Sequence, residues 1–555
     1  MAISFSMLLS LISCSKKDDN NKPEFNLNVC ISNEPGSIDP TIVPTIAGLT
    51  YDLHIFEGLV KYVNADNHTN NCPNMFNTQI VEGQAERYSV SDDQCVYTFY
   101  LRDDILWSDG VEVTAKDFVY SWQRLVDPAT AAAYGYLLND IVLNASEIQS
   151  GSKNKNELGI KAVDDRTLEV TLVNPCPYFL EICAYSCLCP LREDVVNKGE
   201  NWTDPGKIVV NGAYTISEWV HDSYIKMTQN ENYYDKNKVG PDSITWWLSD
   251  NETSVANAYM TDEYQFISTL PVDMIQYFKE SGDFYSAPNL STRFLIFNCE
   301  KIKDWRVRAA FTLAIDRNNI TDNVTRGGEV PANSWISAGI TNSEGKFYSE
   351  GKSGMGVMFE FLNESYSQYD LSTYKGRCDL AKELYNNAVE DKSWEPSTII
   401  SYSYGTSDIN KAIAEACCSD WSSVLGIKVQ LDNQESSTYV SFLGERNFDI
   451  ARLKWNAAYN DPMSHLEMLL SDGPFNFGNF MNADYDKFVR EAKKSPIGSN
   501  RDESIYSAEK ILFSEEGFPI SPILFPADVF CVKSDLSDIG FITMGTYCFI
   551  YTNNA

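Results

Sequence analysis

Cysteine and histidine are the side chains of this sequence that could bind a metal or act as nucleophiles. Four of the 14 cysteines fall between Cys176 and Cys189, and two more are adjacent at Cys417 and Cys418. Neither group has the paired CxxC spacing of a zinc site, and the four histidines are scattered. We therefore expect free, buried thiols, as would suit a reducing or anoxic habitat, and neither a metal nor another cofactor.

Catalytic motifs are missing from the sequence as well. It contains no G-x-S-x-G elbow, no phosphate-binding P-loop and no H-E-x-x-H zinc motif. The 77 acidic residues are so numerous that any proposed acid/base pair would be arbitrary. We predict that the protein is not an enzyme. Two alternatives from other classes are a secreted hydrolase, which lacks a nucleophile here, and an adhesive surface protein, which would show repeats.

The N-terminal segment indicates where the protein resides. Met1 to Ser13 is apolar, ends in Leu11-Ile12-Ser13-Cys14 and is followed by a polar run. It is too short to cross a bilayer, and it fits a secretory signal. It resembles a bacterial lipobox, whose cysteine accepts a diacylglycerol. We predict a signal peptide over 1–14, lipidation of Cys14, a tether over 15–26 and anchoring to the outer face of the bacterial cell membrane.

Size and charge limit the classes that remain. A chain of 555 residues with 43% hydrophobic residues forms two or three packed domains. Its net charge of −33 repels nucleic acid and anionic membrane surfaces. Binding to nucleic acid is therefore not expected.

Strand and helix patterns alternate along the chain and predict an α/β fold. Apolar residues alternate in Phe25 to Ile31, Val96 to Leu101 and Thr167 to Leu172, as in half-buried strands. Thr114 to Asp117 resembles a capping box that opens a helix, and a second helix is predicted from Asp304. Further helices are predicted over 373–390, 409–425 and 500–514.

Eight segments, in order from about residue 27 to the C-terminus, resemble the peptide-binding family of ABC importers, the solute-binding protein family 5. The most recognisable is Phe99 to Gly110, which leads into Val113 to Trp122. The others are Glu34 to Pro40, Ile55 to Val60, Asn211 to Tyr214, Asn232 to Tyr234, Arg306 to Arg317, and Trp455 to Pro462. Several have ordinary structural roles: Asp109-Gly110 predicts a turn, and Arg306 and Arg308 are expected to make scaffold contacts.

The resemblance implies a two-lobed, type II periplasmic-binding-protein-like fold with the family's extra small domain. It further implies a monomer that holds a peptide between its lobes, closes over it and passes it to the permease and ATPase subunits of an importer. The domains expected are lobe I over 27–68, 190–296 and 525–555, the extra small domain over 69–189, and lobe II over 297–524.

The resemblance also implies which residues contact the ligand. Arg452 would meet a ligand carboxylate, and Thr292 to Asn298 would be the strand that pairs with the ligand backbone. The ligand-binding positions implied in this way are Tyr134, Thr292, Arg293, Phe294, Asn298, Arg452, Trp455, Tyr459 and Asn460.

Several contact positions differ from those of the oligopeptide receptors. Ala458 stands where the family has the aspartate that meets the ligand ammonium. Ile296, Thr325, Ser436 and Asn410 stand in place of acidic, lysine, tryptophan and histidine residues. A receptor of the same fold for a glycan fragment, a metal chelate or a signalling peptide is therefore the alternative to a general peptide receptor.

Overall fold

The structure, a computed structural model, is a mixed α/β chain built on four main sheets. It describes residues 24–32, 34–43, 46–69, 72–132, 134–199, 201–435, 438–473 and 475–554. The predicted lipidation site Cys14 lies outside these ranges. No helix within them is both long and apolar enough to cross a membrane.

A seven-stranded sheet forms the first lobe and draws its strands from three separate parts of the chain. Its central strand pairs in parallel with two neighbours, whereas the outer pairs are antiparallel. In sheet order the strands are Phe284–Pro288, Ala527–Val532, Phe266–Ile267, Asn26–Ser32, Ser243–Leu248, Tyr224–Gln229 and Tyr214–Val220.

Two smaller sheets accompany the first lobe. One joins early strands to the C-terminal region: Val60–His68, Met75–Glu82, Ile539–Ile542 and Thr546–Cys548. The other, which we call the small-domain sheet, contains Ala85–Val90, Val96–Leu101, Thr167–Thr171 and Ile160–Ala162. A short pair, Leu536–Ser537 with Asn553–Asn554, ends the chain. The helices of these parts are Ile46–Ile55, Ala115–Val126, Ala145–Gln149, Phe179–Cys183, Glu193–Val196, Glu252–Met260 and Ile275–Ser281.

A six-stranded sheet surrounded by helices forms the second lobe. Its strands, in sheet order, are Val330–Pro331, Ile520–Phe525, Ser291–Phe297, Ile450–Asn456, Ile400–Gly405 and Val429–Gln434. Its helices are Trp305–Leu313, Arg317–Asn319, Val357–Ser365, Tyr374–Glu390, Asp408–Leu425, Tyr439–Gly444, Met463–Leu466, Ala483–Lys494 and Ser499–Leu512.

The chain passes between the two lobes at two adjacent points. It leaves the first-lobe sheet after Pro288 and returns to it at Ala527. The backbone N–H of Asn289 donates to the carbonyl of Pro526 at 3.4 Å, so the two crossings are in contact. The sequence-based division placed the first crossing after 296. The structure places it at 289–290, because all of Ser291–Phe297 is paired within the second-lobe sheet.

Local predictions for the helix starts and the turn are confirmed. Thr114 and Asp117 form the capping box of helix Ala115–Val126, with a Thr114 N–H to Asp117 Oδ2 distance of 2.8 Å. The side chain of Asp304 caps the helix that begins at Trp305. Gly110 adopts a φ of 85° in the predicted turn, a left-handed conformation that suits glycine.

The cysteines are free thiols throughout the described ranges, and most are buried, as the sequence predicted. No group of three or more His, Cys, Asp or Glu side chains in these ranges could hold a metal ion. The cluster from Cys176 to Cys189 therefore belongs to the packed interior of the small domain.

Candidate ligand-binding cleft

Two adjacent central strands of the second lobe, Ser291–Phe297 and Ile450–Asn456, carry the cationic part of the candidate site. We call them the floor strands. They are antiparallel, with Arg293 opposite Lys454 and Leu295 opposite Arg452. Opposed residues share a face of a sheet, and so do residues two apart on one strand. Arg293, Arg452 and Lys454, which we call the floor cluster, therefore lie on one face.

The three cations of the floor cluster have no anionic partner at ion-pair distance among the described residues. Arg293 and Arg452 are partly buried, and the Nε of each has no hydrogen-bond acceptor in the described structure. Desolvation lowers the pKa of Arg452, and desolvation together with the charge of Arg452 lowers the pKa of Arg293 to about 9. Lys454 is exposed at the end of the row, and desolvation also lowers its pKa. Such an arrangement favours the binding of an anion.

Two carboxylates near the floor cluster accept hydrogen bonds from neutral groups, and Asp528 Oδ2 has no partner in the described structure. Asp528, on the first-lobe sheet, accepts a hydrogen bond from the Asn289 side chain at 2.8 Å. Its burial raises its pKa, and Lys454 partly opposes this effect. Glu329 accepts from Thr325 Oγ1 at 2.9 Å and from the Gly327 N–H at 2.7 Å. Because Asp528 and Lys454 belong to different lobes, the cluster lies at the boundary between them.

Aromatic side chains connect the small domain to the second lobe. Tyr459 and Tyr178 stack face to face across the boundary, with ring centroids 4.4 Å apart and planes inclined by 2°. Tyr136 of the small domain meets Phe475 at 6.4 Å, and Phe475 meets Trp455 at 5.1 Å. The structure thus brings the predicted residues Trp455 and Tyr459 to one interlobe boundary.

Tyr134 lies on the small-domain side of this boundary. It is partly buried and packs against Tyr136 and Tyr185, with ring centroids 6.4 and 5.9 Å away. It therefore reaches the aromatic contacts of the second lobe through Tyr136.

A turn stabilised by a buried ion pair positions Tyr459 and Asn460. Asp461 Oδ1 accepts hydrogen bonds from Arg501 Nη2 at 2.7 Å and from the Met463 N–H at 2.9 Å. The backbone N–H of Asp461 donates to the Tyr459 carbonyl at 2.8 Å. Asn460 is exposed at the tip. A charge-assisted contact of this kind fixes the turn, so the exposed amide of Asn460 is presented from a rigid base.

Three residues assigned to the ligand site from the sequence make scaffold contacts instead. The Thr292 hydroxyl donates to the Trp335 carbonyl at 3.0 Å, and the Phe294 ring packs on Trp335 at 4.7 Å. The Asn298 side chain donates to the carbonyls of Arg446 and Phe448. All three are buried, and their predicted contacts with the ligand stay predictions.

The segment predicted to pair with a ligand backbone, Thr292 to Asn298, is paired with protein strands over most of its length. From Arg293 to Ile296 it has paired neighbours on both sides, Ile450–Asn456 and Ile520–Phe525. A strand with both edges paired has no free N–H and C=O groups for a ligand strand.

The positions that differ from the oligopeptide receptors are largely structural. Ile296, Thr325 and Asn410 are buried, and Asn410 donates to the Gly405 carbonyl at 2.8 Å. The N–H of Ala458 donates to Ser464 Oγ at 2.7 Å. Ser436 lies outside the described residues.

Sequence reasoning missed Lys454 and Tyr178. Lys454 follows Arg452 by two residues in a strand, so period-two alternation could have placed it on the same face. Tyr178 had no comparable signal, because its partner Tyr459 is 281 positions away and only the fold brings them together.

Comparisons with known proteins identify the class of fold first. The solved structure of the Escherichia coli murein tripeptide binding protein MppA superposes with a TM-score of 0.77 at 29% identity, covering 96% of this chain and 98% of that chain. The Haemophilus influenzae OppA complex with the peptide RPPGFSPFR gives 0.75 at 27% identity, covering 96% and 99%. The predicted α/β, two-lobed fold is confirmed.

Sequence comparisons then identify the family. The family model for bacterial extracellular solute-binding proteins, family 5, middle region, matches residues 79–477. The Escherichia coli K12 protein MppA is 32% identical over 505 residues, or 89% of this chain and 86% of that protein. The Salmonella typhimurium LT2 oligopeptide-binding protein OppA is 32% identical over 509 residues, or 90% and 87%. The chain belongs to the family 5 bacterial extracellular solute-binding proteins.

Proposed function

We propose that this protein is an extracytoplasmic, non-enzymatic receptor that captures peptides between its lobes and delivers them to an ABC importer. The floor cluster is the observation that carries the proposal. Unpaired, partly buried cations at a lobe boundary match the one anionic group common to all unmodified peptides, the C-terminal carboxylate. The relatives MppA, a murein peptide-binding protein, and OppA, an oligopeptide-binding protein, support this choice of ligand.

Each residue of the site has a proposed role in holding the peptide. Arg452 binds the C-terminal carboxylate through charge-assisted hydrogen bonds. Trp455, Tyr459 and Tyr134 contribute apolar surface that accepts different side chains, with water filling the remaining space. The exposed amide of Asn460 reads backbone groups. Ala458 leaves the ligand ammonium without a carboxylate partner, so the N-terminus is read weakly.

Closure of the cleft brings the small domain against the second lobe. The Tyr178–Tyr459 stack joins them, and a cavity of about 320 Å³ lies in the same boundary. Its walls include Asp140 and Cys176 from the small domain and Asp472 and Lys493 from the second lobe. We propose that these contacts form as the lobes close over the peptide, and that the importer recognises the closed form.

The location and partners follow from the same proposal. The mature chain begins at a lipid-modified Cys14, is tethered through residues 15–26 and works as a monomer with the permease and ATPase subunits of the importer. The domains are those predicted from the sequence, with the crossings moved to 289–290 and 526.

Identification of the bound molecule tests this function. The protein is purified natively and denatured, and the released small molecules are identified by mass spectrometry. The emptied protein is then refolded and titrated with a mixed tripeptide and tetrapeptide pool in a calorimeter. We expect peptides in the released fraction. We also expect the radius of gyration, measured by small-angle X-ray scattering, to decrease when peptide is added to the emptied protein. A glycan fragment or metal chelate in the released fraction, with no heat from peptides, would refute the proposal.

A further inference from the structure

The floor cluster contains more cations than one peptide terminus can neutralise. An α-carboxylate has two oxygens and is satisfied by one guanidinium in a bidentate contact. Arg293 and Lys454 are directly opposed across the floor strands, and Arg452 is two residues from Lys454, about 7 Å along the strand. A carboxylate on Arg452 therefore leaves Lys454 and Arg293 beside it without a partner.

No carboxylate among the described residues lies within ion-pair distance of the floor cluster. The charges of Asp528 and Glu329 act on Lys454 and Arg293 only from beyond that distance. Glu329 is held by Thr325 and Gly327, whereas Asp528, whose burial raises its pKa, accepts a hydrogen bond through Oδ1 only. Position 458, at the end of the same segment, is alanine. Buried or half-buried charge without a partner is costly, and a ligand that supplies the partner removes that cost.

We propose that this site selects peptides whose C-terminal residue is aspartate or glutamate. This inference rests on the proposed function. The α-carboxylate binds Arg452, and the side-chain carboxylate of the same residue binds between Lys454 and Arg293. The two carboxylates belong to one residue and the three cations to one face of the sheet, so both contacts form together. The specificity-determining residues are Lys454 and Arg293.

A matched pair of peptides isolates the second carboxylate. Ala-Ala-Glu and Ala-Ala-Gln have the same shape and the same terminal charges, and they differ only in the side-chain charge. Calorimetric titration of the emptied and refolded protein should show at least a tenfold lower Kd for the glutamate peptide. The ratio should fall with added salt, because exposed Lys454 is screened.

Two variants assign the preference to the floor cluster. Lys454→Met should bring the glutamate-to-glutamine ratio close to one. Lys411→Met removes the same charge from the exposed surface of the second lobe, where Lys411 faces Glu415 at 3.9 Å, and should keep the tenfold ratio.

The outcomes separate this inference from the proposed function. Equal binding of both peptides to the native sequence refutes the acidic preference and leaves peptide binding intact. A tenfold preference that persists in Lys454→Met refutes the role of the cluster. A protein that refolds by circular dichroism yet binds neither peptide refutes the proposed function and this inference with it.

Discussion

Replacing Arg452 with methionine should weaken ligand binding and stabilise the empty protein, two effects of opposite sign. Arg452 is partly buried, its Nε has no acceptor among the described residues, and Arg293 lies close enough for the two charges to repel. In the empty protein this charge is therefore unfavourable. Methionine has a similar length and no charge, so it keeps the packing of the aliphatic stem.

The size of each effect can be estimated. Truncating one partner of a desolvated charge pair weakens binding by about 2–5 kcal/mol, or about 30- to 5,000-fold in Kd. Removing an unpaired, half-buried charge should raise the free energy of unfolding of the empty protein by on the order of 1 kcal/mol. C-terminal amidation of the peptide should reproduce the binding loss in the native sequence. N-acetylation should have a much smaller effect, because Ala458 offers no carboxylate to the ammonium.

Arg308→Met is the matched control for stability. Arg308 is more deeply buried in the second lobe than Arg452, and its guanidinium donates to the carbonyls of Ile302, Lys303, Gly517 and Phe518. Its removal leaves several buried acceptors unsatisfied and should lower the free energy of unfolding by about 3 kcal/mol or more. Urea denaturation of the emptied proteins measures both variants, and calorimetry measures binding.

Two results would contradict the reasoning about Arg452. Destabilisation of the empty Arg452→Met protein to the same degree as Arg308→Met would show that Arg452 is a scaffold residue. Loss of binding on N-acetylation, with amidation tolerated, would show that the polarity of the ligand is reversed.

Three further predictions concern other parts of the molecule. Tyr178→Ala should weaken ligand binding about two- to tenfold, because the stack with Tyr459 is worth about 0.5–1.5 kcal/mol and forms across the lobe boundary; calorimetry measures the loss. Burial raises the pKa of Glu509 to about 8 from its ordinary 4.5, so the folded state holds a proton that the unfolded state releases. The free energy of unfolding should therefore fall as the pH rises from about 4.5 to about 8, and Glu509→Gln should remove that fall in urea titrations. Cys14→Ser should abolish acylation and membrane partitioning, measured by mass spectrometry and fractionation.

Each of these predictions has a control or a contradicting outcome. In Tyr459→Ala, adding Tyr178→Ala should cost almost nothing further, since the partner is already gone; a full additional loss argues against the stack. An unchanged pH profile in Glu509→Gln would place the titrating group elsewhere. An uncleaved, unmodified native chain in the cytosol would refute the anchor.

The sequence was sufficient for the elements and the class of fold, but only for part of the site. Capping at Thr114 and Asp304 and alternation in Val96–Leu101 are local signals, so they predicted element starts well. Arg452 and Tyr459 were found through resemblance to a family. Thr292 and Phe294 contact Trp335, which the sequence did not indicate, because a strand's sequence does not show which of its edges and faces is already occupied. The sequence did not indicate a role for Tyr178, because its contact with Tyr459 joins two segments that only the fold brings together.

The two crossings at Asn289 and Pro526 determine where one lobe can rotate relative to the other. The two crossing segments are in contact with each other. Asp528, two residues after Pro526, is close enough to Lys454 for their charges to interact. In the proposed function, the ligand carboxylate therefore neutralises the floor cluster near these crossings. The contact between Tyr178 and Tyr459 joins the small domain to the second lobe. A rotation of a few degrees about the two crossings is too small to disturb the packed sheets. It nevertheless displaces distant groups in proportion to their distance from the axis of rotation. In the proposed closure, binding of an anion near the crossings would therefore move the more distant small domain by a larger amount.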